Sequence, residues 1–151
     1  APKLAKKILC NFECRNYAIY KEMKQHTLNK YERLKSRKAI ECLLSDAQTF
    51  SLFPVKVLFK VFSGDDTEPL KVCVSVSKRK FKRAVDRNRL KRQMLESWRV
   101  NKLELRQKLG EKNLRMDVML IYISKEKEKF AKINEKIEAS LKRLITQVES
   151  N

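Results

Sequence analysis

The sequence predicts an α+β domain, and three patterns carry that prediction. Val55–Phe62 and Leu70–Ser77 alternate apolar and polar residues with a period of two, as half-buried strands do. Longer stretches repeat apolar residues at the period of a helix with one buried face. The order along the chain is helix, short strand, two longer strands, helix, strand, helix, with no internal repeat or low-complexity segment.

Residues 1–26 lack sustained periodicity and carry more Lys and Arg than acids. They read as a mobile basic arm with a helical turn near Tyr17–Met23, and the folded domain is expected over 27–151. Asn29 followed three residues later by Glu32 is a capping-box-like helix start. Leu34, Ile40, Leu43 and Leu44 then give a partial apolar stripe to about Asp46, with Arg33, Lys35, Arg37 and Lys38 on the other faces. Thr49–Phe53 is short and β-prone, and Pro54 marks its end. Val55, Val57, Phe59 and Val61 share one side of the next strand. The turn-forming stretch Ser63–Pro69 then predicts an antiparallel hairpin with Leu70–Ser77. Lys56, Lys60, Lys71, Ser75 and Ser77 make a polar, partly basic second face, either simply solvated or used for binding.

A long helix follows over Ala84–Leu109, with Gly110 as its C′ residue. Leu90, Met94, Trp98, Leu105 and Leu109 fall on its core face, and Leu95 at the border. Met116–Ile123 is apolar on both sides, which marks a central strand. Phe130–Val148 is an amphipathic helix with Ile133, Ile137, Leu141, Leu144, Ile145 and Val148 on one stripe.

Charge narrows the partner. Lys plus Arg number 36 against 18 acids, for a net charge of +18 in 151 residues. A field of that sign implies a polyanion. Hydrophobic residues at 42% are still enough to build a core. No apolar run in this sequence reaches the length of a membrane span. The basic N-terminal stretch has apolar patches too short for a signal-peptide core, so a cytoplasmic location is expected. Cys10, Cys14, Cys42 and Cys73 form no zinc pattern. Reduced thiols are expected, with Cys42 and Cys73 as small core residues.

Protein-based catalysis has little to work with. His26 is the sole histidine and lies in a polar stretch, so no nucleophile–histidine pair is readily built. Asp65, Asp66 and Glu68 are adjacent but belong to a turn. Gly64 and Gly110 are the only glycines, which leaves no phosphate-binding loop. The positive signal is the density of cations over Lys78–Arg92: Lys78, Arg79, Lys80, Lys82, Arg83, Arg87, Arg89, Lys91 and Arg92, against the single anion Asp86. Arginine forks pair bidentately with phosphate, and Asn88 can reach sugar or base edges. A basic zipper helix is the alternative reading, but Leu95, Trp98, Leu105 and Leu109 keep no heptad.

These residues carry a resemblance. Leu28-Asn-Lys30 and Arg33-Leu34-Lys35 at the first helix, Val74-Ser-Val-Ser-Lys78 ending a strand, and Ala84-Val85-x-Arg87-Asn88-Arg89-Leu90-Lys91-Arg92 resemble the bacterial ribonuclease P protein subunit over about 27–148. The resemblance implies an α-β-β-β-α-β-α sandwich with a mixed four-stranded sheet and a left-handed βαβ crossover, a fold shared with a domain of a small-subunit ribosomal protein. It implies a partner RNA that cleaves precursor tRNA at its 5′ end with Mg²⁺ bound mainly by that RNA, and no cofactor held by a protein motif.

It also implies RNA contacts by Lys78, Arg79, Lys80, Lys82, Arg83, Arg87, Asn88, Arg89, Lys91 and Arg92. The 5′ leader would lie in a cleft between the first helix and the sheet, near Arg33, Arg37, Ile40, Leu44, Phe50, Lys56 and Lys60. Neither a membrane nor a small-molecule substrate is implied. Three departures stand out: Ile40 and Leu44 replace the family's frequent aromatics, Leu95 replaces a frequent arginine, and Phe81 sits in a loop that lacks the usual glycine. A structural protein of another ribonucleoprotein is the competing reading, and a protein-only nuclease a more distant one.

Overall fold

The computed structural model describes residues 27–64 and 68–150, so the expectations for the N-terminal arm, Cys10, Cys14, His26 and the Asp65–Asp66 turn lie outside the described residues. A single 3-10 turn at Lys30–Glu32 leads to α1 (Arg37–Asp46), β1 (Gln48–Leu52), β2 (Val55–Ser63) and β3 (Leu70–Val76). After these come α2 (Ala84–Asn101), α3 (Leu103–Glu111), β4 (Leu114–Tyr122) and α4 (Phe130–Ser150). The sheet order is β1-β2-β4-β3, with β4 antiparallel to β2 and parallel to β3. It is therefore the mixed four-stranded sheet expected, with β3–α2–α3–β4 as the crossover between the parallel pair.

The doubly apolar β4 takes the centre, where both its faces are covered. That placement corrects one expectation: β2 and β3 are not a hairpin, because β4 lies between them. The hairpin is β1–β2, turned at Phe53–Pro54, whose peptide bond is cis.

α2, α3 and α4 cover one face of the sheet. Leu90, Met94, Trp98, Leu105, Leu109 and the α4 stripe pack there on Val55, Val57, Phe59, Val72, Met116, Val118 and Leu120 in one cluster. The core stripes read from the helical period are thus the observed ones. α1 lies on the other face, where Leu43 and Leu58 are buried outside that cluster.

The first helix starts later than its capping signal suggests. Asn29 N–H does donate to Glu32 Oε2 at 2.8 Å, yet the backbone leaves the helical path at Arg33, which bridges Val72, and Leu34 N–H donates to Val72 O at 2.9 Å. A buried acid explains the diversion. Glu32 Oε2 is 2.5 Å from Lys102 Nζ, and its other oxygen lies 3.1 Å from Arg106, which also holds Glu68.

The same network marks the second correction, because the long helix is broken at Lys102. That residue is buried, and its ammonium also donates to Thr27 O at 2.6 Å. Burial pushes the Lys102 ammonium pKa down while Glu32 opposes the shift. Gly110 sits inside α3 rather than beyond it, and Asn113, at φ 51°, adopts the left-handed conformation after the helix. Leu44 is 55% exposed and Cys42 is exposed, so neither joins the core as expected. The α1 stripe is only Leu43 and the half-buried Ile40.

Candidate nucleic-acid interface

The loop from Ser77 to Arg83 is short, charged and tied down at several points. Phe81 is buried and packs on Tyr122 at a ring distance of 5.8 Å. Lys80 donates to Ile123 O, whose own N–H donates to Pro54 O at 2.9 Å. Arg87 reaches back from the first turn of α2, and its Nη1 donates to Phe81 O at 2.8 Å and Lys82 O at 2.7 Å. Arg87 therefore clasps the loop rather than only adding to its charge. The unusual Phe81 is the anchor that the clasp closes on.

With the loop fixed, its charges are presented together. Lys78, Arg79, Lys80, Lys82, Arg83, Asn88, Arg89 and Arg92 are exposed, and Lys91 is half-buried. Among the described residues none of these cations has a carboxylate within ion-pair distance. Most cations elsewhere do: Arg37 with Glu41, Lys60 with Asp46, Arg99 with Glu96, Arg115 with Asp117, Lys132 with Glu128 and Lys142 with Glu138. Even Asp86, the one acid inside the run, is engaged by Lys127 at 2.7 Å. Unpaired like charges held at one place repel one another, and phosphate relieves that repulsion.

The second region is the sheet face beside α1. Strand register sets Lys56, Ile121 and Ser75 in one row, Leu58, Met119 and Cys73 in the next, and Lys60, Asp117 and Lys71 in a third. Lys60 is pinned to α1 through Asp46 at 3.0 Å and Cys42 at 3.4 Å, and these contacts raise its pKa. Arg115 holds the buried Asp117 at 3.1 Å and also lies 4.8 Å from the Phe62 ring.

Phe50 does not belong to this face. Its partner Val57 points to the helix-covered side, where Phe50 is buried against Phe59 under Arg143. Of the other expected cleft residues, Lys60 lines a small groove with Asp46 at the end of α1, and Arg33 lines one beside Ser36 and Ala39; Arg37 and Leu44 are exposed on α1, and Ile40 and Lys56 are half-buried. Tyr31, which no sequence pattern singles out, is 73% exposed beside a groove of about 410 Å³ with Arg33, Lys35, Lys71 and Arg115. A lone aromatic in a polar turn carries no periodic signal.

Among the described residues no group of three or more His, Cys, Asp or Glu is placed to hold a metal. Burial, with help from the Asp117 charge, pushes the Cys73 thiol up to about 11, which leaves it unreactive near neutrality. No described helix is long and apolar enough to cross a membrane.

The comparisons with known proteins agree with this geometry. The ribonuclease P protein family model matches residues 28–145. A ribonuclease P protein component from Porphyromonas gingivalis is 32% identical over 124 residues, covering 82% of this chain and 90% of its own length. The RNase P protein from Thermotoga maritima superposes with a TM-score of 0.57 at 25% identity, over 74% of this chain and 96% of that one. A mutant RNase P protein from Staphylococcus aureus gives the same TM-score at 20% identity and attests the fold alone. With the motif, the sheet order and these matches in agreement, the chain belongs to the family of ribonuclease P protein components.

Proposed function

We propose that this chain is the RNA-binding protein subunit of a cytoplasmic ribonuclease P, assisting an RNA catalyst that removes the 5′ leader of precursor tRNA. The observation that carries the reading is the clasped run from Lys78 to Arg92, rich in cations and free of carboxylate partners among the described residues. Each phosphate it neutralises releases condensed counterions, which favours binding and makes it salt-dependent. Lowering the repulsion between RNA segments reduces the divalent ion concentration needed to bring substrate and catalyst together.

The protein's own groups suit positioning. Asp86 and Asp117 are occupied by Lys127 and Arg115, so they fit a magnesium site poorly, and the Mg²⁺ of the reaction would be held mainly by RNA phosphates. When bound there, the ion supplies charge neutralisation and a polarised water. The leader would lie between α1 and the sheet, past Lys56 and Lys60. Tyr31 offers the exposed ring that Ile40 and Leu44 do not.

Reconstitution tests this. The chain is added to a bacterial ribonuclease P RNA at low Mg²⁺ with precursor tRNA as substrate. The expected result is a gain in 5′ cleavage, with none from the protein alone. Tight RNA binding with no gain in cleavage would instead support a structural protein of another ribonucleoprotein.

A further inference from the structure

Beside the cationic run, between the first turns of α2 and the segment entering α4, lies a groove of about 340 Å³, at the small end of the range that accepts ligand-sized groups. Asp86, Arg89, Gln93, Lys127, Lys129 and Phe130 line it, over a floor formed by Leu90. Its charges are sorted. Asp86 is neutralised by Lys127 at 2.7 Å and Glu128 by Lys132 at 3.0 Å. Arg89 and Lys129 have no carboxylate partner among the described residues, so the groove keeps two cations for an anion outside the protein.

Phe130 is 42% exposed, an aromatic ring left open to solvent at the first position of a long helix. Gln93, with an amide donor and acceptor, faces the same space. An apolar ring, a two-way hydrogen-bonding edge and paired cations are the complement of one nucleotide: base face, base edge and flanking phosphates.

We propose that this groove receives a single unstacked nucleobase of the partner RNA. Phe130 is its stacking surface, Gln93 bonds to its edge, and Arg89 and Lys129 hold the phosphates on either side. The inference rests on the reading that the chain binds ribonuclease P RNA and adds a base-contacting subsite to it. It also places an exposed aromatic at the helix-borne interface, in a chain whose α1 carries Ile40 and Leu44.

Stacking releases no counterions, so the subsite has a signature that charge alone does not. Binding of the full chain to ribonuclease P RNA is measured across a salt series for wild type, Phe130→Ala, Phe130→Leu and Phe130→Tyr. Both ring-deleting variants should lose about tenfold in affinity with an unchanged salt slope, and Phe130→Tyr should restore it. In a Phe130→Trp variant, RNA should quench the added emission relative to wild type, whose Trp98 is buried. Ring-deleting variants that bind within twofold of wild type, a lowered salt slope, or unquenched emission would each overturn the subsite while leaving RNA binding intact. Failure of the wild-type chain to bind the RNA at all would overturn the underlying reading instead.

Discussion

The two basic regions of this molecule are built from the same residue types and differ in what occupies them. In the run from Lys78 to Arg92, backbone carbonyls and the core hold the scaffold: Arg87 clasps Phe81 O and Lys82 O, and Leu90 is buried beneath. Lys78, Arg79, Lys80, Lys82, Arg83, Arg89 and Arg92 are exposed, and among the described residues none has a carboxylate within ion-pair distance. On the sheet face, two of the cations are held by the protein's own acids, Lys60 by Asp46 and Arg115 by Asp117. A phosphate arriving at Lys60 gains only the difference between itself and the carboxylate it displaces. Counting Lys and Arg along a sequence therefore overstates affinity where the fold supplies internal anions. Under the proposed function the first region is the stronger receptor for an anion, and the second keeps only a residual attraction.

The largest effect is expected in the quartet of Glu32, Lys102, Arg106 and Glu68, in which Glu32 and Lys102 are buried and Arg106 and Glu68 half-buried. Glu32 is 2% exposed and Lys102 1%, so removing Glu32 strands the Lys102 ammonium out of water, and removing Lys102 leaves the Glu32 carboxylate with only its longer contact to Arg106. Lys102→Ala should cost about 3–5 kcal/mol of folding stability, read as a fall in Cm in urea. The paired replacement Glu32→Leu with Lys102→Met should cost less than either single change, because no charge is left behind. If Lys102→Ala unfolds within about 1 kcal/mol of wild type, the quartet does not anchor the entry segment. The path from Leu28 into α1 would then need another explanation.

A smaller effect separates clasp from contact inside the first region. Arg87→Ala removes two charge-assisted hydrogen bonds and should lower stability by about 2 kcal/mol as well as weaken RNA binding. Arg92→Ala, exposed and without a carboxylate partner among the described residues, should leave the melting temperature unchanged and reduce the salt slope of RNA binding by about one. Equal melting temperatures for the two variants would remove the distinction between them.

Much of the fold was legible because periodicity reports burial. The stripes Leu90–Met94–Trp98 and Ile133–Ile137–Leu141 and the two-sided β4 are where the pattern puts them. What failed was pairing and interruption. Period-two strands joined by a turn look like a hairpin whether or not a later strand comes between them, as β4 does. Lys102 falls inside the helix that the pattern predicts over Ala84–Leu109, since nothing local reveals that Glu32, seventy residues earlier, draws its ammonium inside. Phe50, placed in the cleft by the resemblance, pairs with Val57 and so lies on the opposite, helix-covered face. In the site, the density of Lys78–Arg92 was legible, and the occupancy of each cation was not. Whether a lysine has an acid beside it is a property of tertiary contacts such as Lys60 with Asp46, eighteen and fourteen residues from its α1 neighbours Cys42 and Asp46.

That occupancy gives the smallest and most direct test of the comparison. Asp46 is 80% exposed on its side chain and packs on nothing that requires its charge, so Asp46→Asn should fold as wild type does. It removes the acid that Lys60 now faces and lowers the Lys60 pKa toward its ordinary value, still far above neutrality, so the ammonium stays charged and becomes available. Binding of a short single-stranded RNA of leader length should strengthen by a few-fold at low salt and converge with wild type as salt rises. The same change made in a Lys60→Ala background should have a much smaller effect, since the freed cation is then absent. An equal gain in both backgrounds would mean that Asp46 acts as a general negative charge near the RNA. The internal pairing that distinguishes the sheet face from the clasped loop would then carry no weight in recognition.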